Sequence, residues 1–155
     1  MLQACVVYAQ ININPPNFGP RTTLGTIEND YIDEASGIAS SYKNLGILWT
    51  HNDAGGENRI FAIDTNGISR GTYYLNGIEN RDWEDIAVGP GPIEDKSYIY
   101  IADIGDNDEL FEIKYIYRIE EPDVSITQSN SNKIIQNIST IAFIYPDGKR
   151  DAETL

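Results

Sequence analysis

Apolar and polar residues alternate in short runs along this chain, and the runs are separated by clusters of Gly, Asn, Asp and Pro. Stretches such as Arg59-Ile60-Phe61-Ala62-Ile63-Asp64 and Ser97-Tyr98-Ile99-Tyr100-Ile101-Ala102-Asp103 are rich in β-branched and aromatic residues. That combination suits a pleated, half-buried surface, and the intervening clusters carry turn chemistry. A sustained period of 3.6 residues is absent, so the pattern predicts no long helix. It predicts strands over 46–53, 59–64, 68–75, 97–103, 114–119 and 138–145, with a Ser-, Asn- and Gln-rich excursion over 124–136. A short strand over 22–27 precedes them. Composition agrees, with 24 Ile and 10 Tyr against a single Met.

The strands fall into a repeat. Asp33-Glu34-Ala35-Ser36-Gly37-Ile38 aligns with Arg81-Asp82-Trp83-Glu84-Asp85-Ile86, and again with Arg150-Asp151-Ala152-Glu153-Thr154-Leu155. After the first box comes Leu48-Trp49-Thr50-His51-Asn52-Asp53, and after the second Ile99-Tyr100-Ile101-Ala102-Asp103. A third and a fourth strand then follow in each copy. Four antiparallel strands at a period of about 40–50 residues are the signature of a β-propeller blade. The expected fold is therefore all-β, a β-propeller fragment. It would comprise about two four-stranded blades, an extra outer strand at 22–27 and the start of a third blade at 151–155. A closed ring needs at least about four blades and usually about six or seven, so the rest of the ring is expected to lie outside this chain. Residues 21–155 form the expected propeller part. Residues 1–20 read as a signal-peptide remnant, with small residues before a cut after Ala9, and an extended Pro-containing lead-in. A first β-strand over 1–10 is the alternative, and Leu2-Gln3-Ala4-Cys5 weakly resembles a lipoprotein box. A secreted or periplasmic location follows from the signal reading.

Charge and cysteine content narrow the function classes. With 24 acidic and 11 basic residues the formal net charge is −13. Nucleic-acid binding needs clustered Lys and Arg, which are missing. No apolar run is long enough to span a membrane. One Cys and one His exclude a disulfide framework and any site that needs two of either.

The phrases Glu34-Ala35-Ser36-Gly37-Ile38-Ala39, Asp82-Trp83-Glu84-Asp85-Ile86-Ala87, Ile104-Gly105-Asp106-Asn107 and Tyr145-Pro146-Asp147-Gly148 resemble a group of secreted bacterial β-propeller proteins. That group is distantly similar to six-bladed propellers of the phytase-like, NHL and TolB-like kind. The resemblance covers roughly residues 25–155. It implies a six-bladed ring. Among such relatives some bind calcium in the central channel and hydrolyse lactones or phosphoric esters, while others bind peptides or scaffold assemblies. Fold alone does not choose between these.

The acidic boxes are the candidate chemistry. Residues i and i+2 of a strand share a face, so Asp82 projects with Glu84, and Asp151 with Glu153. Carboxylates converging from neighbouring blades repel unless a proton or cation intervenes, and calcium takes six to eight oxygens in loose geometry. Glu34, Asn52, Glu84, Asp103 and Glu153 are the candidate calcium ligands, with Asp53, Asp106 and Asn107 as further oxygens. The alternative is that these acids cap backbone amides. His51, next to Asn52 and Asp53, is the candidate general base; a solvent-facing turn residue is the other reading. Trp49, Trp83, Tyr73, Tyr74, Tyr115 and Tyr117 are expected to pack between blades. The leading expectation is a secreted β-propeller module, calcium-associated, that binds a small-molecule or protein ligand at the channel mouth. The alternative is a calcium-dependent phosphoric-ester or lactone hydrolase.

Overall fold

The computed structural model describes residues 19–155; the readings made on residues 1–18, including the signal remnant and Cys5, lie outside them. Nine strands and no helix are formed among the described residues. β1 (Ala35–Ser40), β2 (Ile47–Asn52), β3 (Arg59–Asp64) and β4 (Ser69–Leu75) make an antiparallel meander. β5 (Trp83–Pro90), β6 (Ser97–Asp103), β7 (Lys114–Glu120) and β9 (Ser139–Phe143) make a second one. The expected all-β class and the two sets of four strands are present. Both sets begin the same way, with a β-bulge between Ala35 and Gly37 and another between Trp83 and Asp85.

Three expectations need correction. Residues 22–27 form no strand. Their backbone instead lies against the β3–β4 turn, with the Glu28 N–H donating to the Gly67 carbonyl at 3.1 Å. A Cβ on Gly25 would overlap the Asn66 carbonyl, so only glycine permits that approach. The 124–136 excursion is not wholly irregular. It contains β8 (Asn132–Ile135), which crosses back and pairs in parallel with β4 of the first sheet. Residues 151–155 are also not a strand, although the Ala152 N–H reaches the Ile104 carbonyl at 3.4 Å.

The core lies between the sheets. From the first come Ile47, Trp49, Ile60, Ala62, Tyr73 and Leu75, and from the second Trp83, Ile86, Ile99, Ile101, Tyr117 and Ile119. β1 runs beside β5. Trp49 meets Tyr73 edge-on at 5.2 Å, and Trp83 meets Tyr117 at 6.2 Å. The edge-to-face geometry of the first pair is favoured by the ring quadrupole. Both tryptophans thus pack between the sheets, as expected. Tyr74 does not: strand alternation turns it to the opposite face from Tyr73.

Two buried polar arrangements brace this core. Glu121, 1% exposed, receives hydrogen bonds from the Ser41 hydroxyl, Trp49 Nε1 (2.9 Å) and the Ser97 hydroxyl (2.5 Å). It thereby ties the β1–β2 loop and β2 to the second sheet. Lys114, fully buried, holds the equally buried Asp106 at 2.9 Å. Burial works to raise the Asp106 pKa, but the Lys114 ammonium and the Leu110 and Phe111 N–H groups more than offset it, leaving it below the usual range. Replacing Lys114 with Met (Lys114→Met) leaves that carboxylate uncompensated and is expected to cost about 3–5 kcal/mol in urea unfolding at neutral pH. A loss below about 1 kcal/mol would place the pair among solvated surface bridges.

Candidate functional site

At the end of the sheets where β2 stops and β5 starts, carboxylates gather. The bulge at the start of β5 presents Asp82 and Glu84 together, and the β2 terminus brings Asp53 up to them. The three offer oxygens within 4.8 Å of one another. Glu84 also belongs to a second group, with Asp151 and Glu153, under the same separation. Glu84 therefore bridges two triads drawn from the end of β2, the start of β5 and the last residues of the chain. Asp82 and Glu84 are buried, Asp53 is half-buried, and Asp151 and Glu153 are exposed.

The backbone around this cluster is shaped to admit it. A Cβ on Gly105 would stand 2.3 Å from Glu84 Oε1 and 2.6 Å from Asp82 Oδ2, so glycine is required for the loop after β6 to pass this close. The Ile104 and Gly105 N–H groups both donate to the Asp82 carbonyl at 3.2 Å. Ser36, the residue that aligns with Glu84 in the first repeat, donates its hydroxyl to Glu84 Oε2 at 3.3 Å. The Asp106 N–H donates to Asp151 Oδ1 at 2.8 Å, which anchors the last segment against the loop.

Charge compensation separates this cluster from three other buried acids, and neutral donors separate it from a fourth, Glu121. Buried Asp64, Asp103 and Asp106 are paired with Arg70, Arg81 and Lys114. Among the described residues, none of Asp53, Asp82, Glu84, Asp151 and Glu153 makes an ion pair. The consequence is visible in proton affinity. Burial, then the hydrogen bond with Glu153 and the charges of Asp53, Glu153 and Asp82, push Glu84 up to about 8. Asp82 is raised for the same reasons, burial first and then its charged neighbours Asp53, Asp151 and Asp103.

The sequence-derived ligands divide. Glu84 is central and Glu153 joins it. Asp103 is buried but committed elsewhere: its Oδ2 receives Arg81 Nε at 2.8 Å and the Tyr117 hydroxyl at 3.0 Å, and its Oδ1 receives the Asp82 N–H at 3.2 Å. Asn52 turns its amide nitrogen to the Tyr31 carbonyl (2.8 Å) and Asp33 Oδ1 (2.6 Å). Glu34 is exposed, and it is its backbone carbonyl that receives the Asp53 N–H at 2.9 Å. Asp53, Asp82 and Asp151, which stood beside the chosen residues in the sequence, are the ones that complete the two triads. The repeat alignment already paired Asp82 with Asp151 and Glu84 with Glu153, and that was the signal for four of the five.

His51 is not a solvent-facing turn residue. It is fully buried within β2, with Nδ1 2.9 Å from the Asn52 carbonyl and its ring edge-on to Trp83 at 5.8 Å. A Cβ on Gly37 would come 2.9 Å from its Nε2, so the glycine opposite it in β1 makes room for the imidazole. Burial, partly offset by the Asn52 and Asp85 carbonyls, lowers its pKa, which favours the neutral ring.

No family model, no curated protein and no solved structure matches this chain.

The raised Glu84 sets the sign of a pH dependence. Its proton is held more tightly in the folded than in the unfolded chain. The associated stability is present in full below the ordinary glutamate range and is lost as pH rises through about 8. With chelator present, the melting temperature is expected to fall between pH 5 and pH 8.5, and Glu84→Gln is expected to flatten that fall. Parallel curves for the two proteins would show that Glu84 is not the group responsible.

Proposed function

We propose that this chain is part of a secreted β-propeller module that binds calcium at its acidic end and presents that end to a ligand or partner. The propeller reading is supported by the two meanders, which share strand order, an initial bulge and adjacent first strands. Each matches one copy of the sequence repeat. The observation that carries the calcium reading is the pair of carboxylate triads joined at Glu84, uncompensated by any cationic side chain among the described residues. Five carboxylates exceed what a neutral hydrogen-bond network requires. They suit a hard divalent cation that takes about six to eight oxygens at about 2.3–2.6 Å. Glu84 would hold the ion together with Asp53 and Asp82, or together with Asp151 and Glu153, and the ion would supply the positive charge that the cluster lacks. Mutual repulsion would then turn into ordering, with the end of β2, the start of β5 and residues 151–155 drawn to one point.

The hydrolytic reading gains no comparable support. A general base must reach the proton that it removes, and the burial of His51 among Gly37, Trp83 and Asn52 offers a substrate no approach to it.

Calorimetric titration of calcium into chelator-treated protein, with a matched thermal melt, tests the proposal. Saturable binding is expected, with a rise in melting temperature equivalent to about 2.7 kcal/mol when free calcium is about 100 times Kd. Glu84→Gln is expected to weaken binding at least tenfold, because it removes the carboxylate common to both triads. Absence of both heat and shift would leave these acids as caps on backbone amides and remove calcium from the account.

A further inference from the structure

The face of the first sheet turned away from the core carries a second candidate site, independent of the acidic end. Strand register places Arg59, Tyr74 and Ile134 in one row across β3, β4 and β8, with Phe61, Thr72 and Asn132 in the next. The segment before β1 folds over these rows. It is held there by the Asn29 amide, which donates to the Ser69 hydroxyl at 3.4 Å, and by the Tyr31 carbonyl, which accepts from Asn52. The result is a cavity of about 340 Å³ walled by Tyr31, Arg59 and Tyr74 and rimmed by Asn29, Asn130 and Asn132. It shares Asn29, Tyr31 and Asn130 with a neighbouring cleft of about 680 Å³. The two adjoin at these residues as neighbouring parts of one groove-like surface, and each is within the size range of small-ligand sites.

We propose that this groove binds a neutral carbohydrate chain. The chemistry of its lining selects that class in three ways. Aromatic faces are on offer: Tyr31 is 66% exposed, and the Arg59 guanidinium lies 4.8 Å from its ring centroid and 6.0 Å from that of Tyr74. The arginine props the two rings beside the cavity through cation–π contact, and a pyranose presents an apolar C–H face that stacks on such rings. The rim is amide-rich, and each Asn side chain offers a carbonyl acceptor next to an NH₂ donor. That arrangement suits vicinal hydroxyls, which both donate and accept. Charge excludes the competing classes. Arg59 is paired with Glu57 at 3.0 Å and Arg70 with Asp64 at 2.7 Å, while Glu28 and Asp30 add negative charge along the cleft. An anionic ligand would find both arginines of the lining already neutralised by a carboxylate, and an extended apolar ligand would meet mostly amides and hydroxyls.

Affinity gel electrophoresis of the full chain tests this. Soluble neutral polysaccharides (mixed-linkage β-glucan, arabinoxylan, galactomannan and starch) are cast separately into native gels, with polygalacturonate as the anionic comparison. Retardation by at least one neutral polysaccharide is expected. Tyr31→Ala should reduce it at least tenfold and Tyr31→Phe should retain it. Tyr31 is exposed, so its truncation leaves the core intact, and a melting curve for each variant checks that. Asn132→Ala supplies a second, exposed position in case the first variant unfolds. Tyr42→Ala, at another exposed tyrosine outside the groove lining, should bind the polysaccharide as the wild type does, which shows that the effect belongs to this groove. Failure of all four neutral polysaccharides to retard the protein, retardation by polygalacturonate alone, or retardation untouched by both Tyr31→Ala and Asn132→Ala would overturn the proposal.

Discussion

Glu121 is the point on which the two sheets turn. Its carboxylate is buried where β7 ends, yet its hydrogen bonds come from the β1–β2 loop, from Trp49 in β2 and from Ser97 at the start of β6. Burial alone would raise its pKa, but the donors Ser41, Ser97 and Trp49 reverse that and hold it below the ordinary range. A buried carboxylate satisfied by several neutral donors is specific in a way that apolar packing is not, because each donor has a direction. It also positions Trp49, whose ring then sits against Tyr73 in the core. The neighbouring amide of Asn44 extends the same junction to the Pro122 carbonyl and the Val124 N–H. From there the chain departs toward β8.

The opposite end of the same sheets is built in the reverse sense. There, acids from the end of β2, the start of β5 and residues 151–155 approach one another and make no ion pair among the described residues. Such an arrangement opposes folding unless something else holds the strands in place. The Glu121 junction and the aromatic contacts between sheets supply that restraint from the far end. Charge left unbalanced at one end raises the proton affinity of the buried carboxyls there, Glu84 and Asp82.

The β8 crossover adds a further link between the halves. Residues that follow β7 in the second sheet return to pair with β4 of the first, so the outer edge of one sheet is covered by chain that belongs to the other. An edge strand so covered loses its row of unpaired amides. It also brings Asn130 and Asn132 to the outward face of the first sheet, next to Tyr31 and Tyr74, which lie far from them in sequence.

Much of this was legible in the residues because strand formation here follows local alternation. Six of the eight strands of the two meanders fall on runs read from the sequence and β1 and β5 fall at the acidic boxes, and the repeat of those boxes aligned Asp82 with Asp151 and Glu84 with Glu153. The rest depended on packing between distant segments. Residues 22–27 are rich in β-branched residues but find no edge to pair with, whereas residues 132–135, inside a Ser-, Asn- and Gln-rich segment, find β4 and become a strand. Asp103 looks like a ligand by composition and is instead claimed by Arg81 and Tyr117. His51 looks exposed beside Asn52 and Asp53, and is buried because Gly37 across the strand leaves room for its ring. Local sequence determined which segments extend and which turn, since backbone preference and side-chain alternation act over a few residues. Tertiary structure decided which carboxylates lack a partner and which rings face solvent, since compensation and burial depend on neighbours that the chain brings together only on folding.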